Sequence, residues 1–257
     1  MHTSDFQNGY QPTIKFVCDS WKSYSRWGFQ KTVLITGCNR GIGLGLVKEF
    51  EKAEELVDLE SNSRVKVLEL DVSKYENDYK DFIAQVSDEL GSDGLNLLIT
   101  NAGIMGERQS LGNFTSEAMI ETFKVNCIAP TILARALLPL LKKVAKPDAG
   151  FGCDNAAIIQ MSTSGASIAE NGLGGMYPYR CSKTALNMAM KNVSLELKKD
   201  GILVLSLHPG WVKTDMGGSN AHITVEECVS TMVKTISQLS DKDHGTFLRY
   251  NNTPVAW

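Results

Sequence analysis

The chain has 257 residues, enough for one large α/β domain with a complete hydrophobic core. A hydrophobic content of 43%, a charged content of 21% and a net charge of −3 give no electrostatic reason to expect a nucleic acid or a membrane surface as a partner. The six cysteines lack a C-x-x-C pair and the four histidines lack metal-ligand spacing, so we expect reduced thiols, no metal and a cytoplasmic location.

Residues 1–30 are polar with scattered aromatic side chains and show neither a strand period nor a helix period. We predict a poorly ordered N-terminal extension, followed by a single domain over residues 31–257. Trp21 and Trp27 leave a membrane or partner anchor as an alternative for this extension. We expect no membrane partner, because the chain has no run of ~18 apolar residues.

From Lys31 onwards, strand and helix patterns alternate. The predicted strands cover residues 33–36, 64–70, 95–100, 156–161, 202–208 and 245–250. The predicted helices cover residues 46–59, 77–90, 115–143, 177–199 and 224–239; the third is expected to bend near Pro130, and Thr224 with Glu227 forms a capping box at the start of the last. This alternation predicts a doubly wound parallel sheet of the α/β class.

The first predicted strand runs into a turn that contains Gly37, Gly41 and Gly43, and a helical pattern follows at once. A strand, a glycine turn and a helix N-terminus form a pyrophosphate site in parallel sheets, because the backbone can approach the ligand and free N–H groups face it. The spacing G-x-x-x-G-x-G differs from the commoner G-x-G-x-x-G, and the motif alone is also compatible with an ordinary glycine-rich turn.

Further polar groups follow the later strands, at residues 101–103, 162–164 and 209–210. Ligands of parallel sheets bind at this edge. Tyr179 and Lys183 are four residues apart on a predicted helix and therefore share a face. A nearby ammonium group lowers the pKa of a phenol, which makes Tyr179 a candidate general acid or base, although a Tyr-x-x-x-Lys pair also occurs on helices by chance.

Several of these elements occur together in one order: T-G-x-x-x-G-I-G, Asp71-Val72, Asn101-Ala102-Gly103, Asn126, a strand-end hydroxyl, Tyr-x-x-x-Lys and Pro209-Gly210. From about residue 31 to residue 257 the chain resembles the short-chain dehydrogenase/reductase family. Residues 174–187 and the C-terminal end resemble the sniffer-like carbonyl reductases. The resemblance implies a Rossmann-like fold and the reduction of an aldehyde or ketone by NADPH.

The resemblance also implies catalytic roles. Tyr179 would protonate the carbonyl oxygen as the hydride arrives. Lys183 would hold the ribose hydroxyls and lower the pKa of Tyr179. Asn126 would fix a water that passes protons to Lys183.

Three neighbouring residues are candidates for the hydroxyl group that would hold the substrate oxygen together with Tyr179. Counting back from Tyr179 places Thr163 at the family's serine, whereas the pattern S-x-x-G selects Ser162. Thr163 is our choice, with Ser162 and Ser164 as alternates; threonine keeps the hydroxyl, but its β-branch restricts χ1.

The resemblance further implies a cofactor site along the strand ends. Arg40 lies where NADP-preferring relatives carry a basic residue, and a guanidinium suits a ribose 2′-phosphate, although a solvated arginine is the alternative. Asp71 would touch the adenine, and Val212 and Thr214 would cover the carboxamide. The expected cofactor-binding residues are Gly37, Asn39, Arg40, Gly41, Ile42, Gly43, Asp71, Val72, Asn101, Ala102, Gly103, Tyr179, Lys183, Pro209, Gly210, Val212 and Thr214.

The segment between Gly43 and Asp71 is shorter than the family fold requires. At ~5–6 residues per strand and ~11 per helix, some 33 or more residues are needed, whereas 27 lie between them. The second strand, with parts of its flanking helices, is therefore expected to be missing at the junction of Phe50 and Glu51.

A missing second strand removes one wall of the adenosine pocket and the charged residue that reads the ribose 2′ position. A catalytically impaired splice or gene-model variant with little or no cofactor binding is therefore the alternative to an active reductase. Epimerase or dehydratase chemistry on the same tyrosine and lysine is a third, weaker interpretation. The expected partner is a small carbonyl compound that meets an apolar loop over residues 211–223, and the helices at 115–143 and 177–199 could pair two copies into a homodimer.

Overall fold

The computed structural model describes residues 31–50, 65–106 and 109–257, together with the backbone of the strand Thr13–Cys18. The strands are β1 Thr13–Cys18, β2 Thr32–Ile35, β3 Val65–Glu69, β4 Leu97–Thr100, β5 Ala156–Met161, β6 Ile202–His208 and β7 Phe247–Arg249. The α-helices are α1 Gly41–Phe50, α2 Lys80–Leu90, α3 Ser116–Phe123, α4 Ala129–Ala136, α5 Leu138–Val144, α6 Tyr177–Leu197 and α7 Val225–Ser237. The six strands predicted from the sequence are all present, and β5 and β6 have the predicted bounds.

The strands form one sheet in the order β3-β1-β2-β4-β5-β6-β7. Every adjacent pair from β2 to β7 is parallel, namely β2–β4, β4–β5, β5–β6 and β6–β7. This is the predicted doubly wound, Rossmann-like arrangement, with the carboxyl ends of the parallel strands at one edge. The sheet therefore provides the edge at which the sequence places its polar groups.

The place between β2 and β3 is occupied by β1, which runs antiparallel to both neighbours. No parallel second strand stands there among the described residues, as the short segment between Gly43 and Asp71 predicts. β1 comes from the predicted N-terminal extension. The rest of that extension, with Trp21 and Trp27, and residues 51–64 lie outside the described residues, so the poor order of the extension and the continuation of the first helix to Leu59 remain predictions.

Two hydrophobic layers enclose the sheet. Ile35 and Leu205 belong to the layer beneath α1 and α7, whereas Leu34 and Val204 belong to the layer beneath α2, α4, α5 and α6. These four side chains are fully buried, because successive side chains of a strand point to opposite faces and both faces are covered. Because both faces of the sheet are buried, the strand sequences are continuous runs of apolar residues.

The long helical pattern at residues 115–143 is broken, and the position predicted for its bend is wrong. A π turn, Lys124–Ile128, separates α3 from α4, and the 50° bend comes between Ala136 and Leu138 rather than at Pro130. The π turn shifts the hydrogen-bond register just ahead of Pro130, where a backbone N–H is not needed, whereas Pro139 starts a new helix.

Among the described residues, no single helix is long and apolar enough to cross a membrane. The bent pair Ser116–Ala136 and Leu138–Val144 meets the length and composition criteria only when its two parts are taken together.

Of the capping box predicted at the start of the last helix, the structure shows the half that Thr224 forms as N-cap. The side chain of Thr224 accepts a hydrogen bond from the backbone N–H of Glu227 at 3.1 Å. We expect Thr224→Ala to lower the free energy of unfolding by about 1 kcal/mol, because one N–H at the helix start loses its partner. Chemical denaturation measures the change.

Ser230→Ala, at an exposed position of the same helix, is the matched control. It should be neutral or slightly stabilising, since alanine favours the helix. Equal losses in the two variants would contradict the assigned cap.

Candidate active site

A cavity of about 790 Å³ opens at the carboxyl ends of the parallel strands. Of the residues predicted to bind a cofactor, it is lined by Gly37, Asn39, Arg40, Gly41, Ile42, Asp71, Val72, Asn101, Ala102, Gly103, Tyr179, Lys183, Pro209 and Thr214. Gly43, Gly210 and Val212 do not line it and instead shape the backbone beside it. Lys213, Asp215 and Met216 also line it and belong to the loop over residues 211–223 that was expected to meet the substrate. The sequence reasoning did not anticipate Ser73, Ile104, Glu121, Val125, Met161 and Val225, which line the cavity as well.

In the glycine turn, backbone segments approach each other so closely that side chains are excluded. Gly37 has a φ of +72°, and a Cβ added to Gly43 would lie 2.2 Å from the carbonyl oxygen of Gly37. The side chain of Asn101, at the end of β4, donates hydrogen bonds to the carbonyl oxygens of Thr36 and Gly37 at 2.9 and 3.2 Å. The turn therefore presents bare backbone at the start of α1, as a phosphate group requires.

The loop after β6 reaches back to this turn. The guanidinium of Arg40 forms an ion pair with the carboxylate of Asp215, and both side chains are well exposed. A Cβ added to Gly41 would lie 3.5 Å from Thr214. The loop thus covers the turn from one side, which explains why Thr214 and Asp215 line the same cavity as Arg40.

Three neighbouring hydroxyl groups at the end of β5 have three different partners. Ser162 donates to Oδ1 of Asn187 at 2.7 Å, and Ser164 lies 3.2 Å from Nε2 of His208. The hydroxyl oxygen of Thr163 accepts a hydrogen bond from the backbone N–H of Gly165 at 3.1 Å, and this side chain lies near enough to the phenol of Tyr179 to affect its pKa. Of the three candidates, Thr163 is therefore the one that the structure brings to Tyr179.

The pKa of Tyr179 is raised from its ordinary value, chiefly because the phenol is buried among protein atoms. The neighbouring Thr163 side chain and the charge of Arg180 act in the opposite direction. The expectation that Lys183 lowers this pKa differs from the arrangement found. The ammonium group of Lys183 instead donates to the carbonyl oxygen of Met161 at 2.7 Å.

Lys183 lies at the base of the cavity, and its side chain is almost fully buried. Burial lowers its pKa to about 8, with a smaller opposing effect from Cys127. A Cβ added to Gly103 would lie 3.4 Å from Nζ of Lys183 and 3.1 Å from Oδ1 of Asn126. The absence of a side chain at Gly103 therefore gives these two polar groups access to a common space.

Asn126 lies in the π turn between α3 and α4. Its amide exchanges hydrogen bonds with the backbone of Ile104 at 2.7 and 2.8 Å and donates to Oγ of Ser182 at 3.1 Å. π turns are frequent at functional sites because they aim a side chain away from the regular helix register. Asn126 is fixed between the loop after β4 and the helix that carries Lys183.

Asn187 is a site-supporting residue that sequence reasoning missed. Its Oδ1 accepts hydrogen bonds from Ser162 and from Ser206 of β6, at 2.7 and 2.9 Å. Tyr179, Lys183 and Asn187 recur at four-residue intervals on α6, and each contacts one of three consecutive residues at the end of β5. The four-residue spacing places Asn187 on the same helix face as Tyr179 and Lys183, and this was the signal in the sequence that could have identified it.

A doubly wound sheet whose glycine turn and Tyr–Lys pair line one cavity is typical of dinucleotide-binding folds. The chain belongs to the short chain dehydrogenase family, which its sequence matches over residues 31–223. It is thus a member of a family of oxidoreductases.

Solved structures with similar folds include carbonyl reductases. The chain is 40% identical to the carbonyl reductase Sniffer of Drosophila melanogaster, with a TM-score of 0.82 over 88% of this chain and 98% of that one. It is 37% identical to the NADPH-bound carbonyl reductase from chicken fatty liver, with a TM-score of 0.81 over 88% and 93% of the two chains. It is also 36% identical to the C-signal protein of Myxococcus xanthus over 63% of this chain and 93% of that protein.

The buried ammonium group of Lys183 makes stability depend on pH. With a native pKa of about 8 against an ordinary value of 10.5, the unfolded chain binds more protons than the native one between these values. The free energy of unfolding should therefore rise with pH across this window, relative to Lys183→Met, by up to about 3 kcal/mol.

Denaturant titrations of both proteins from pH 7 to pH 11 measure this difference, and subtraction removes the other groups that titrate in the range. A difference that is flat or falls between pH 8 and 10.5 would show that folding does not lower the pKa of Lys183.

Proposed function

We propose that the protein is an NADPH-dependent carbonyl reductase. The observation that carries the proposal is that Tyr179 and Lys183 line the same cavity as the glycine turn. The bare backbone at Gly37 and Gly41 fits a pyrophosphate, and the cavity extends from there to Tyr179 and Lys183. When bound, the cofactor would supply the hydride to the carbonyl carbon.

The chain's own residues account for the proton. A raised pKa keeps Tyr179 protonated near neutral pH, so its phenol can donate a proton to the carbonyl oxygen. The hydroxyl of Thr163 holds that oxygen beside the phenol and stabilises the phenolate that forms. Lys183, with a pKa of about 8, is close enough to neutrality to pass a proton onward, and Asn126 lies beside the same space.

Three observations support NADPH over NADH. Arg40 lines the cavity at the glycine turn, where its guanidinium can bind a 2′-phosphate. The sequence of β1, TIKFVC, contains no carboxylate of the kind that selects a free 2′-hydroxyl in NAD-binding folds. The similar carbonyl reductase from chicken has NADPH bound.

Apolar side chains favour a small, hydrophobic aldehyde or ketone as the substrate. Val125, Met161 and Met216 line the cavity, and Trp211 lies at the start of the loop after β6. Methionine adapts to different ligand shapes because its side chain is unbranched and polarisable. A broad set of reactive carbonyl compounds is therefore the appropriate assay.

We expect Tyr179→Phe to reduce kcat by about 10²–10⁴-fold, the usual contribution of general acid catalysis. Steady-state NADPH oxidation with the carbonyl set measures the loss. Tyr177→Phe is the matched control, because Tyr177 lies on the same helix and stacks on Phe114 at 4.9 Å through its ring alone. It should retain activity close to that of the unaltered protein.

Failure of the unaltered protein to turn over any carbonyl in the set would overturn the proposal. A fluorescence titration with NADPH separates the alternatives further. No binding would favour the impaired variant described in the sequence analysis, whereas micromolar binding would exclude it.

We expect Arg40→Met to weaken NADPH about 10–100-fold and leave NADH almost unchanged, because a hydrogen bond to a charged group contributes about 1.5–3 kcal/mol. The ratio of kcat/KM for the two cofactors measures the effect. Asp215→Asn is the control: it removes one ion-pair partner of Arg40 and should leave NADPH binding equal or tighter. An unchanged cofactor ratio in Arg40→Met would assign the 2′-phosphate to other residues.

A further inference from the structure

We propose that β1 replaces the missing second strand and builds the adenosine side of the cofactor site, so that residues 13–18 of the N-terminal extension belong to the catalytic domain. The inference rests on the proposed function for its cofactor, but the strand itself can be tested without one. It assigns a role to a segment whose sequence alone indicates only a tail.

The first argument is that β1 joins β3 to the rest of the sheet. β3 pairs with β1 from Thr13↔Glu69 to Val17↔Val65, and β1 in turn pairs with β2 from Lys15↔Ile35 to Cys18↔Thr32. Among the described strands, β1 is the sole sheet neighbour of β3. Adjacent strands lie about 4.8 Å apart, so without β1 a gap one strand wide would separate β2 from β3.

The second argument is that this gap would open beside the cavity. Asp71, Val72 and Ser73 follow β3 directly and line the cavity, as does Gly37, which follows β2. The position of the Asp71 group relative to the glycine turn therefore depends on the strand between them. α1, which carries the rest of the turn, also packs against β1.

The third argument is direction. Because β1 is antiparallel, its amino end lies at the cofactor edge, with Thr13 opposite Glu69 and Lys15 opposite Ile35. In the usual fold a carboxyl end with an acidic residue occupies this place. Here the strand supplies backbone and position at the edge without an acidic residue, which leaves the choice of cofactor to the glycine turn.

Local sequence agrees with a strand at this place. Ile14, Phe16 and Val17 are residue types that favour strands. β1 and β2 are consecutive in the chain, and antiparallel neighbours need no crossover helix between them. An inserted strand also covers the hydrogen-bonding edges of β2 and β3, which would otherwise be exposed.

Amide hydrogen exchange of the unaltered protein without cofactor tests the pairing. The amides of Thr13–Cys18 should be protected at least 100-fold relative to an unstructured peptide, to a degree comparable with β3. Exchange of these amides at the rate of a free peptide would overturn the inference, whether or not NADPH binds.

Phe16→Pro tests the role in the site. Phe16 pairs with Leu34 on one side and Lys66 on the other, and proline removes the N–H that this ladder uses. We expect the dissociation constant of NADPH to rise at least tenfold and the protection of β3 to fall, while β5 and β6 keep theirs. Phe16→Val, which keeps the N–H and favours a strand, is the matched control and should bind NADPH within about twofold of the unaltered protein.

The outcomes separate the two proposals. Unchanged NADPH binding and unchanged protection of β3 in Phe16→Pro would overturn the role of β1. If β1 is protected in the unaltered protein but NADPH does not bind, both the reductase function and the role of β1 on the adenosine side of the cofactor site are overturned. The exchange data would still establish that β1 pairs with its neighbouring strands. If Phe16→Pro unfolds completely, the exchange of the unaltered protein decides.

Discussion

The attachment of α6 to the end of β5 is the constraint on which the site depends. Tyr179, Lys183 and Asn187 lie on one helix face and contact Thr163, Met161 and Ser162 in turn. Because Asn187 also accepts a hydrogen bond from Ser206, the helix is fixed to two adjacent strands at once. A shift of α6 would therefore break several buried hydrogen bonds, each costly to leave unpaired.

Burial then sets the chemistry of the fixed groups. The same environment raises the pKa of the neutral phenol and lowers that of the ammonium group, because both charged forms lose contact with water. The two pKa values, which nearly coincide in free solution, are thereby moved apart, so that a phenolate at Tyr179 would readily take a proton from the ammonium group of Lys183. Because Gly103 has no side chain, Nζ of Lys183 and Oδ1 of Asn126 both border the space beside it.

Local patterns predicted most of the fold, and geometry that depends on distant contacts was missed. β5 and β6 could be located to the residue because both faces are buried and the apolar runs are sharply bounded. The bend was assigned to Pro130 instead of the α4–α5 junction because the π turn that accommodates Pro130 has no simple sequence signature. β1 was missed because a strand held between two others needs no amphipathic alternation, and Asn187 because its partners lie on two separate strands.

The exchange of a parallel strand for an antiparallel one explains how a shortened chain can keep its dinucleotide site. The sheet requires a hydrogen-bonded backbone between β2 and β3, and either direction satisfies that requirement. The direction of the strand decides whether its amino end or its carboxyl end lies at the ligand-binding edge. β1 presents Thr13 at that edge, so the position keeps its structural role and loses the residue that usually reads the ribose. In the proposed site, fold completion and cofactor selection, normally combined in one strand, are thereby divided between β1 and the turn that carries Arg40.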